Sequence, residues 1–85
     1  MSYKVAWTSS AEQDLAAAWL AAAERNAVTT ASHIIEHDLQ RAPLTVGESR
    51  ASSVVRVAVL SPLCIVFDVI VDDGTVLVRA VQLMR

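Results

Sequence analysis

Three apolar stretches in the last part of the chain constrain the fold more than any other feature. Residues 54–60, 64–71 and 75–83 are rich in valine and other apolar side chains, and short turn signals separate them. Such runs, when Gly, Pro, Asp or Ser bound them, predict β-strands. The Asp73-Gly74 pair predicts a two-residue hairpin turn, because both positions tolerate positive φ. The sequence therefore predicts an antiparallel meander of three strands.

The predicted turns also set how these strands pair. The Asp-Gly turn places Asp68 opposite Arg79, and a three-residue connection at 61–63 places Arg56 opposite Asp68. Since side chains alternate between the two faces of a strand, this register gathers a wholly apolar set on one face. That set comprises Val55, Val57, Val59, Ile65, Phe67, Val69, Val71, Val76, Val78 and Ala80. An apolar face of this size must be covered, and we expect helices to cover it.

The opposite face of the predicted sheet carries the row Arg56–Asp68–Arg79. Two interpretations stay open: a structural ladder of ion pairs, or a site that holds a phosphate or an acidic side chain of a partner. The row is framed by apolar side chains, namely Val66, Ile70, Leu77 and Val81. Exposed apolar patches mark interaction sites. Arg50, in the loop predicted over 43–53, either reaches this face or is solvated.

The first half of the chain predicts a strand followed by two helices. Residues 3–7 alternate apolar with polar or small side chains, which indicates a short strand. Ser9 with Glu12 fits a capping box at the start of an alanine-rich helix, on whose apolar stripe Trp19 lies. A second helix runs from about residue 27 to residue 41, before Pro43. The short join predicts an antiparallel helical hairpin.

These elements predict a single α+β domain over residues 1–85, with the order β-α-α-β-β-β. The sheet is expected to be antiparallel, with the helical hairpin packed on one of its faces and the first strand at an edge. Trp7 and Trp19 are predicted to pack in the core.

Charge and cysteine content restrict the partners and the cellular compartment that we expect for this protein. Seven Lys and Arg against nine Asp and Glu give a formal charge of −2. The chain therefore lacks the excess of basic residues that is typical of proteins that bind through phosphate contacts. Cys64 stands alone and in an apolar run, which favours a buried thiol over a reactive one and fits a reducing compartment. The apolar run over 54–71 includes Arg56 and Asp68, which argues against a membrane span. We expect the cytoplasm, with no signal peptide and no membrane contact.

One metal-ligand pattern occurs in the second helix. His33 and His37 with Glu36 match H-x-x-E-H, and histidines four residues apart project from one helix face. The chain has no further His and a single Cys to complete a zinc site. We therefore predict an ordinary solvated helix face, with no metal and no cofactor.

Taken in order along the chain, several segments resemble the RelE/ParE-type toxins, also called plasmid-stabilisation toxins. The segments are YKVAWT at 3–8, AEQDL at 11–15 with Trp19, PLTVGESR at 43–50, VRV at 55–57, Pro62-Leu63, the aromatic Phe67 and VLVRAV at 76–81. The resemblance covers nearly the whole chain. It implies a fold like that of the microbial ribonucleases.

The resemblance also implies a function, the toxin half of a type II toxin–antitoxin pair held inactive by a small antitoxin. RelE-like members cleave messenger RNA on the ribosome, and ParE-like members poison DNA gyrase. Arg56 and Arg79 correspond to phosphate or partner contacts and are the only candidates for a catalytic role; Arg50 corresponds less closely. The chain ends in Gln82-Leu83-Met84-Arg85 where nucleases of the family often carry His or Tyr, and Phe67 stands where Tyr is common.

Three hypotheses follow from this resemblance. The chain is a toxin neutralised by an antitoxin bound across the open sheet face, a ribosome-dependent endoribonuclease, or a non-catalytic member of the family that only binds a partner or forms a homodimer.

Overall fold

The computed structural model describes residues 2–45, 48–50 and 52–84, with the side chains of 2–44 and 55–84. These residues form the elements β1 (Lys4–Trp7), α1 (Ser9–Ala21), α2 (Arg25–Arg41), β2 (Glu48–Arg50), β3 (Ser52–Leu60), β4 (Leu63–Ile70) and β5 (Thr75–Leu83). The predicted α+β class and the order of the predicted elements are confirmed. The short strand β2 is additional, so Arg50 belongs to a strand and not to the predicted loop. Neither helix in this part of the chain combines the length and apolarity that crossing a bilayer requires.

The strands form one sheet in the order β1-β5-β4-β3-β2. Strands β3 to β5 pair antiparallel, as predicted, and the additional strand β2 pairs antiparallel with β3. In contrast to the predicted antiparallel sheet, β1 runs parallel to β5 at one edge. Both helices and strands β2 to β4 separate β1 from β5 along the chain, which permits this parallel pairing, because parallel neighbours cannot be joined by a tight turn.

The junction between β1 and α1 depends on Thr8. The Thr8 backbone N–H donates to the carbonyl of Val78 in β5 at 3.0 Å, and the Thr8 hydroxyl accepts from the N–H of Ala11 at 3.0 Å. Thr8 is therefore the N-cap of α1, and the capping box predicted at Ser9 is wrong by one residue.

The predicted register between β3 and β4 is wrong by one residue. Leu60 pairs with Leu63, so the connection has two residues instead of three. A shift of one residue exchanges the faces of a strand. Arg56 consequently lies opposite Phe67, on the helix-covered face, while Val55 and the other odd-numbered valines of β3 turn to the opposite face.

The register between β4 and β5 differs from the prediction in two ways. Ile70 pairs with Thr75, so the connection has four residues; this moves the register by two and leaves the faces unchanged. A bulge then follows, because Phe67 pairs with Val78 but Val66 pairs with Ala80. The extra residue is Arg79, and beyond it the two faces of β5 are exchanged. Val81, predicted on the open face, is therefore 7% exposed and belongs to the core.

Both helices cover one face of the sheet, and the core lies between them. Its buried members are Ala11, Ala18, Val28, Ala31, Ile35, Leu39, Ala58, Leu63, Ile65, Phe67, Val69, Val76, Val78 and Val81. Small Ala11 and Ala18 let α1 approach β5 closely. Trp7 packs against this core as predicted, but Trp19 is 41% exposed, so its predicted core position is wrong.

Candidate partner-binding face

We call the side of the sheet that faces away from the helices the open face. Cross-strand partners share a face, which assigns to it Lys4, Ala6, Val55, Val57, Val59, Cys64, Val66, Asp68, Ile70, Thr75, Leu77, Arg79, Ala80 and Gln82. Most of these side chains are apolar and partly exposed, since nothing in the described chain covers them.

Asp68 and Arg79 form an ion pair at the centre of the open face. Arg79 Nη1 donates to Asp68 Oδ2 at 2.8 Å, although the direct cross-strand partner of Asp68 is Leu77. The Arg79 side chain is 57% exposed and that of Asp68 only 13%. The second carboxylate oxygen, Oδ1, is buried and finds no hydrogen-bond partner among the described residues. The Arg79 guanidinium therefore lies at the surface, whereas the Asp68 carboxylate that neutralises it is mostly buried in the sheet.

Apolar side chains surround this ion pair. Val55 and Leu77 lie opposite Asp68 on the two neighbouring strands, and Val66 follows along β4. Ile70 and Val59 extend the apolar surface toward opposite ends of the sheet and are 39% and 62% exposed. An apolar surface with a single central ion pair suits a protein partner. Its apolar side chains are easily desolvated on binding, and the ion pair fixes the orientation of the partner.

The structure brings together five of the predicted site residues, namely Asp68, Arg79, Val66, Ile70 and Leu77. It does not place Arg56 or Val81 with them, for the reasons of register given above. The backbone of Arg50 lies in β2, and its side chain falls outside the described ones.

Four members of the open face, Val55, Val57, Val59 and Ala80, were predicted to lie beneath the helices instead. The connection after Leu60 decides the face of the three valines, and an even number of residues there assigns it correctly, whereas the bulge at Arg79 decides the face of Ala80.

The open face offers little for acid–base chemistry. Its titratable groups among the described side chains are Asp68, which is paired with Arg79, the Cys64 thiol, and Lys4 on the edge strand β1. The histidines His33 and His37 are exposed on α2, on the other side of the sheet. No cluster of three metal-ligating side chains exists among residues 2–45, 48–50 and 52–84.

No protein-family model matches the chain, and no curated protein matches its sequence. Solved structures do match. A chain of the toxin–antitoxin complex RelBE2 from Mycobacterium tuberculosis superposes with a TM-score of 0.80 and 21% identity, over 98% of this chain and 99% of that one. The isolated RelE toxin of E. coli superposes with a TM-score of 0.71 and 15% identity, over 98% of this chain and 85% of RelE. This chain has the RelE/ParE toxin fold.

A third similar structure comes from a ParDE system. A chain of the chromosomal ParDE system from P. aeruginosa superposes with a TM-score of 0.67 and 20% identity, over 98% of this chain and 97% of that one. The RelE/ParE fold therefore accounts for nearly the whole chain, including the parallel edge strand β1. Within it, this protein places an ion pair framed by apolar side chains on the open face.

Proposed function

We propose that this protein is the toxin component of a type II toxin–antitoxin pair, and that a small antitoxin neutralises it by binding across the open face. The observation that carries the proposal is the uncovered apolar surface around Asp68 and Arg79. The likeness to chains of RelBE2 and ParDE complexes supports a partner of this kind. The cytoplasm is the proposed place of action.

The charge distribution favours a protein partner over RNA on this face. Phosphate recognition needs several unpaired cations, whereas the described side chains of this face include only two cations, Arg79, which is paired with Asp68, and Lys4 at the β1 edge. Arg56, the second candidate phosphate contact, lies on the other side of the sheet. The ribosome with its messenger RNA and DNA gyrase are the candidate cellular targets, and a second copy of the chain is the competing occupant of the open face.

Expression in bacteria tests the proposal. The chain is expressed alone and together with the product of an adjacent small reading frame, and growth is followed after induction. We expect growth arrest by the chain alone and recovery with the second protein. Equal growth in both cultures would contradict the proposal.

A matched pair of variants locates the interface. Leu77→Lys places a charge in the middle of the open face, and Gln13→Lys places the same charge on an exposed position of α1. We expect Leu77→Lys to weaken antitoxin binding at least about 30-fold, the effect of losing one interface hot spot, and Gln13→Lys to bind like the parent. Circular dichroism checks that both variants fold. Binding of Leu77→Lys with parental affinity would exclude the open face.

A separate assay addresses the endoribonuclease. The parent chain is added to a translating system, and the messenger RNA is analysed for cleavage. We expect that Arg56→Ala leaves any cleavage of the messenger RNA unchanged, because Arg56 and Arg79 lie on different faces of the sheet. Cleavage that depends on both arginines would establish the nuclease instead.

A further inference from the structure

The exposed side of α2 carries two histidines that the proposed function does not use. His33 and His37 are four residues apart within this 17-residue helix, and both are exposed. Positions four apart in a helix are neighbours, with about 5–6 Å between their Cβ atoms. The two imidazoles are therefore placed to bind one metal ion together. His33 also lines the groove of about 730 Å³ that separates α1 from α2, so solvent reaches it.

The rest of α2 holds these histidines on a rigid support. The opposite side of the helix is packed into the core, where Ile35 is 3% exposed and Leu39 fully buried. Glu36 accepts a hydrogen bond from Trp7 Nε1 in β1, with 3.0 Å between its Oε1 and the nitrogen. A metal ion bound to ligands on such a fixed element loses little affinity to conformational entropy.

A single chain supplies only two ligands for a metal ion at this place. No third His, Cys, Asp or Glu joins His33 and His37 in a metal-binding cluster among the residues that the structure describes. A closed zinc site takes four ligands in a tetrahedral arrangement. Two chains related by a two-fold axis through the metal supply four imidazoles, two from each chain. A second copy therefore completes the site that one chain leaves half built.

The surface beside the histidines suits a second copy of the chain. Ile34 is 45% exposed there, at the edge of a hollow of about 320 Å³. The hollow is lined by uncharged side chains only, namely Asn26, Ala27, Thr30, Ala31, Ile34, Leu60 and Ser61. An apolar side chain next to an uncharged hollow on one surface is self-complementary, which a two-fold contact requires. Asp38 and Arg41, the charged neighbours of His37 on α2, have opposite signs and add no net repulsion.

We propose that His33 and His37 bind Zn²⁺ together with the same two histidines of a second copy, so that zinc joins two chains through their α2 helices. Imidazole nitrogen is a ligand that zinc prefers. The zinc-joined dimer goes beyond the solvated helix face that the sequence of one chain predicts. It is independent of the proposed function, because α2 lies on the side of the sheet opposite the open face.

Measurement of the mass in solution tests the proposal. The chain is studied by sedimentation with zinc and, separately, with EDTA. We expect zinc to double the mass found in EDTA, with one zinc ion bound per two chains. His33→Gln and His37→Gln should each abolish the doubling, since each removes two of the four ligands. The control is Asp38→Asn, which removes another exposed metal-ligating side chain of α2 and should respond to zinc like the parent. Circular dichroism checks that all variants fold.

Cobalt(II) in place of zinc reports on the number of protein ligands. A closed tetrahedral site gives intense visible absorption bands, whereas a two-histidine site completed by water gives weak ones. We expect intense bands from the parent chain with one cobalt ion per two chains, and their loss in His33→Gln.

Three results would overturn the zinc site: a mass that zinc leaves unchanged, a doubling that both histidine variants retain, or weak cobalt bands with one ion per chain. None of these results bears on the proposed function, which the growth assay and Leu77→Lys test separately.

Discussion

The carboxylate of Asp14 in α1 accepts a hydrogen bond from the backbone N–H of Val81 in β5, with Oδ2 3.1 Å from the nitrogen. Strand β1 pairs with β5 only as far as Trp7 and Val78. Val81 therefore lies beyond the end of β1, and a helix side chain supplies the acceptor that the next strand residue would have offered. This contact closes the edge of β5 directly after the bulge at Arg79.

We predict that Asp14→Ala destabilises the fold by about 1–2 kcal/mol, because it leaves a partly buried backbone N–H without an acceptor. In a domain of this size each kcal/mol lowers Tm by about 4–8 °C, which thermal unfolding detects. The control is Gln13→Ala, an exposed neighbour in the same helix, which should leave Tm unchanged or raise it slightly. Equal effects of both substitutions would contradict a structural role for Asp14.

The β4–β5 connection depends on Gly74. Gly74 has φ of 60°, and a Cβ added at this position would meet no atom within 4 Å. The cost of a side chain is therefore conformational and not steric. We expect Gly74→Ala to lower the free energy of unfolding by about 1–2 kcal/mol and Gly74→Asn by less, because Asn tolerates the left-handed region. Urea denaturation of both variants measures the difference, and a loss that is larger for Asn would refute the explanation.

Phe67 and Val59 test the assignment of the two faces. Phe67 is fully buried beneath the helices, and Val59 is 62% exposed on the open face. Phe67→Ala should cost about 3–5 kcal/mol, a large part of the stability of a small domain. Val59→Ala should change it by less than about 0.5 kcal/mol. Chemical denaturation compares them; a larger loss at Val59 would show that β3 has the register predicted from sequence.

Removal of Asp68 and removal of Arg79 should change the free energy of unfolding by different amounts. The coupling between the charges is expected to stay below about 1 kcal/mol, because solvent screens the exposed Arg79 side chain. Arg79→Ala leaves the mostly buried carboxylate without a cation, whereas Asp68→Asn removes the buried charge itself. We therefore expect Arg79→Ala to be the more destabilising substitution. Denaturation of both single variants and the double variant measures this, and the reverse order would disprove it.

The alternation within β4 could be predicted from the sequence and is confirmed. Ile65, Phe67 and Val69 are buried, and Val66 and Asp68 between them face the other side. β4 has partners on both sides and strict period-two alternation, so its pattern alone assigns its faces. The contact between Asp68 and Arg79 was predicted from the register set by the Asp73-Gly74 turn, and it forms although the observed register differs from that one by two residues.

The faces of β3 and of the end of β5 could not be predicted in this way. One residue more or fewer in the connection after Leu60 exchanges the faces of β3, and Arg56 moves with them. The bulge at Arg79 has the same effect on Val81. Thr8 and Asp14 of the β1–α1 segment bond the backbone of β5 around this bulge, from more than 60 positions away in the chain.

The sequence by itself determined the order of the predicted elements and the two faces of the central strand, because these follow from local periodicity, and the hairpin signal at Asp73-Gly74 indicated that Asp68 and Arg79 lie near each other. The tertiary structure decided which side of the sheet receives Arg56 and Val81, and that a groove separates the two helices. The face of the sheet on which a strand side chain lies depends on the exact number of residues in turns and bulges. The groove depends on how closely the two helices approach each other. Long-range packing sets both of these quantities.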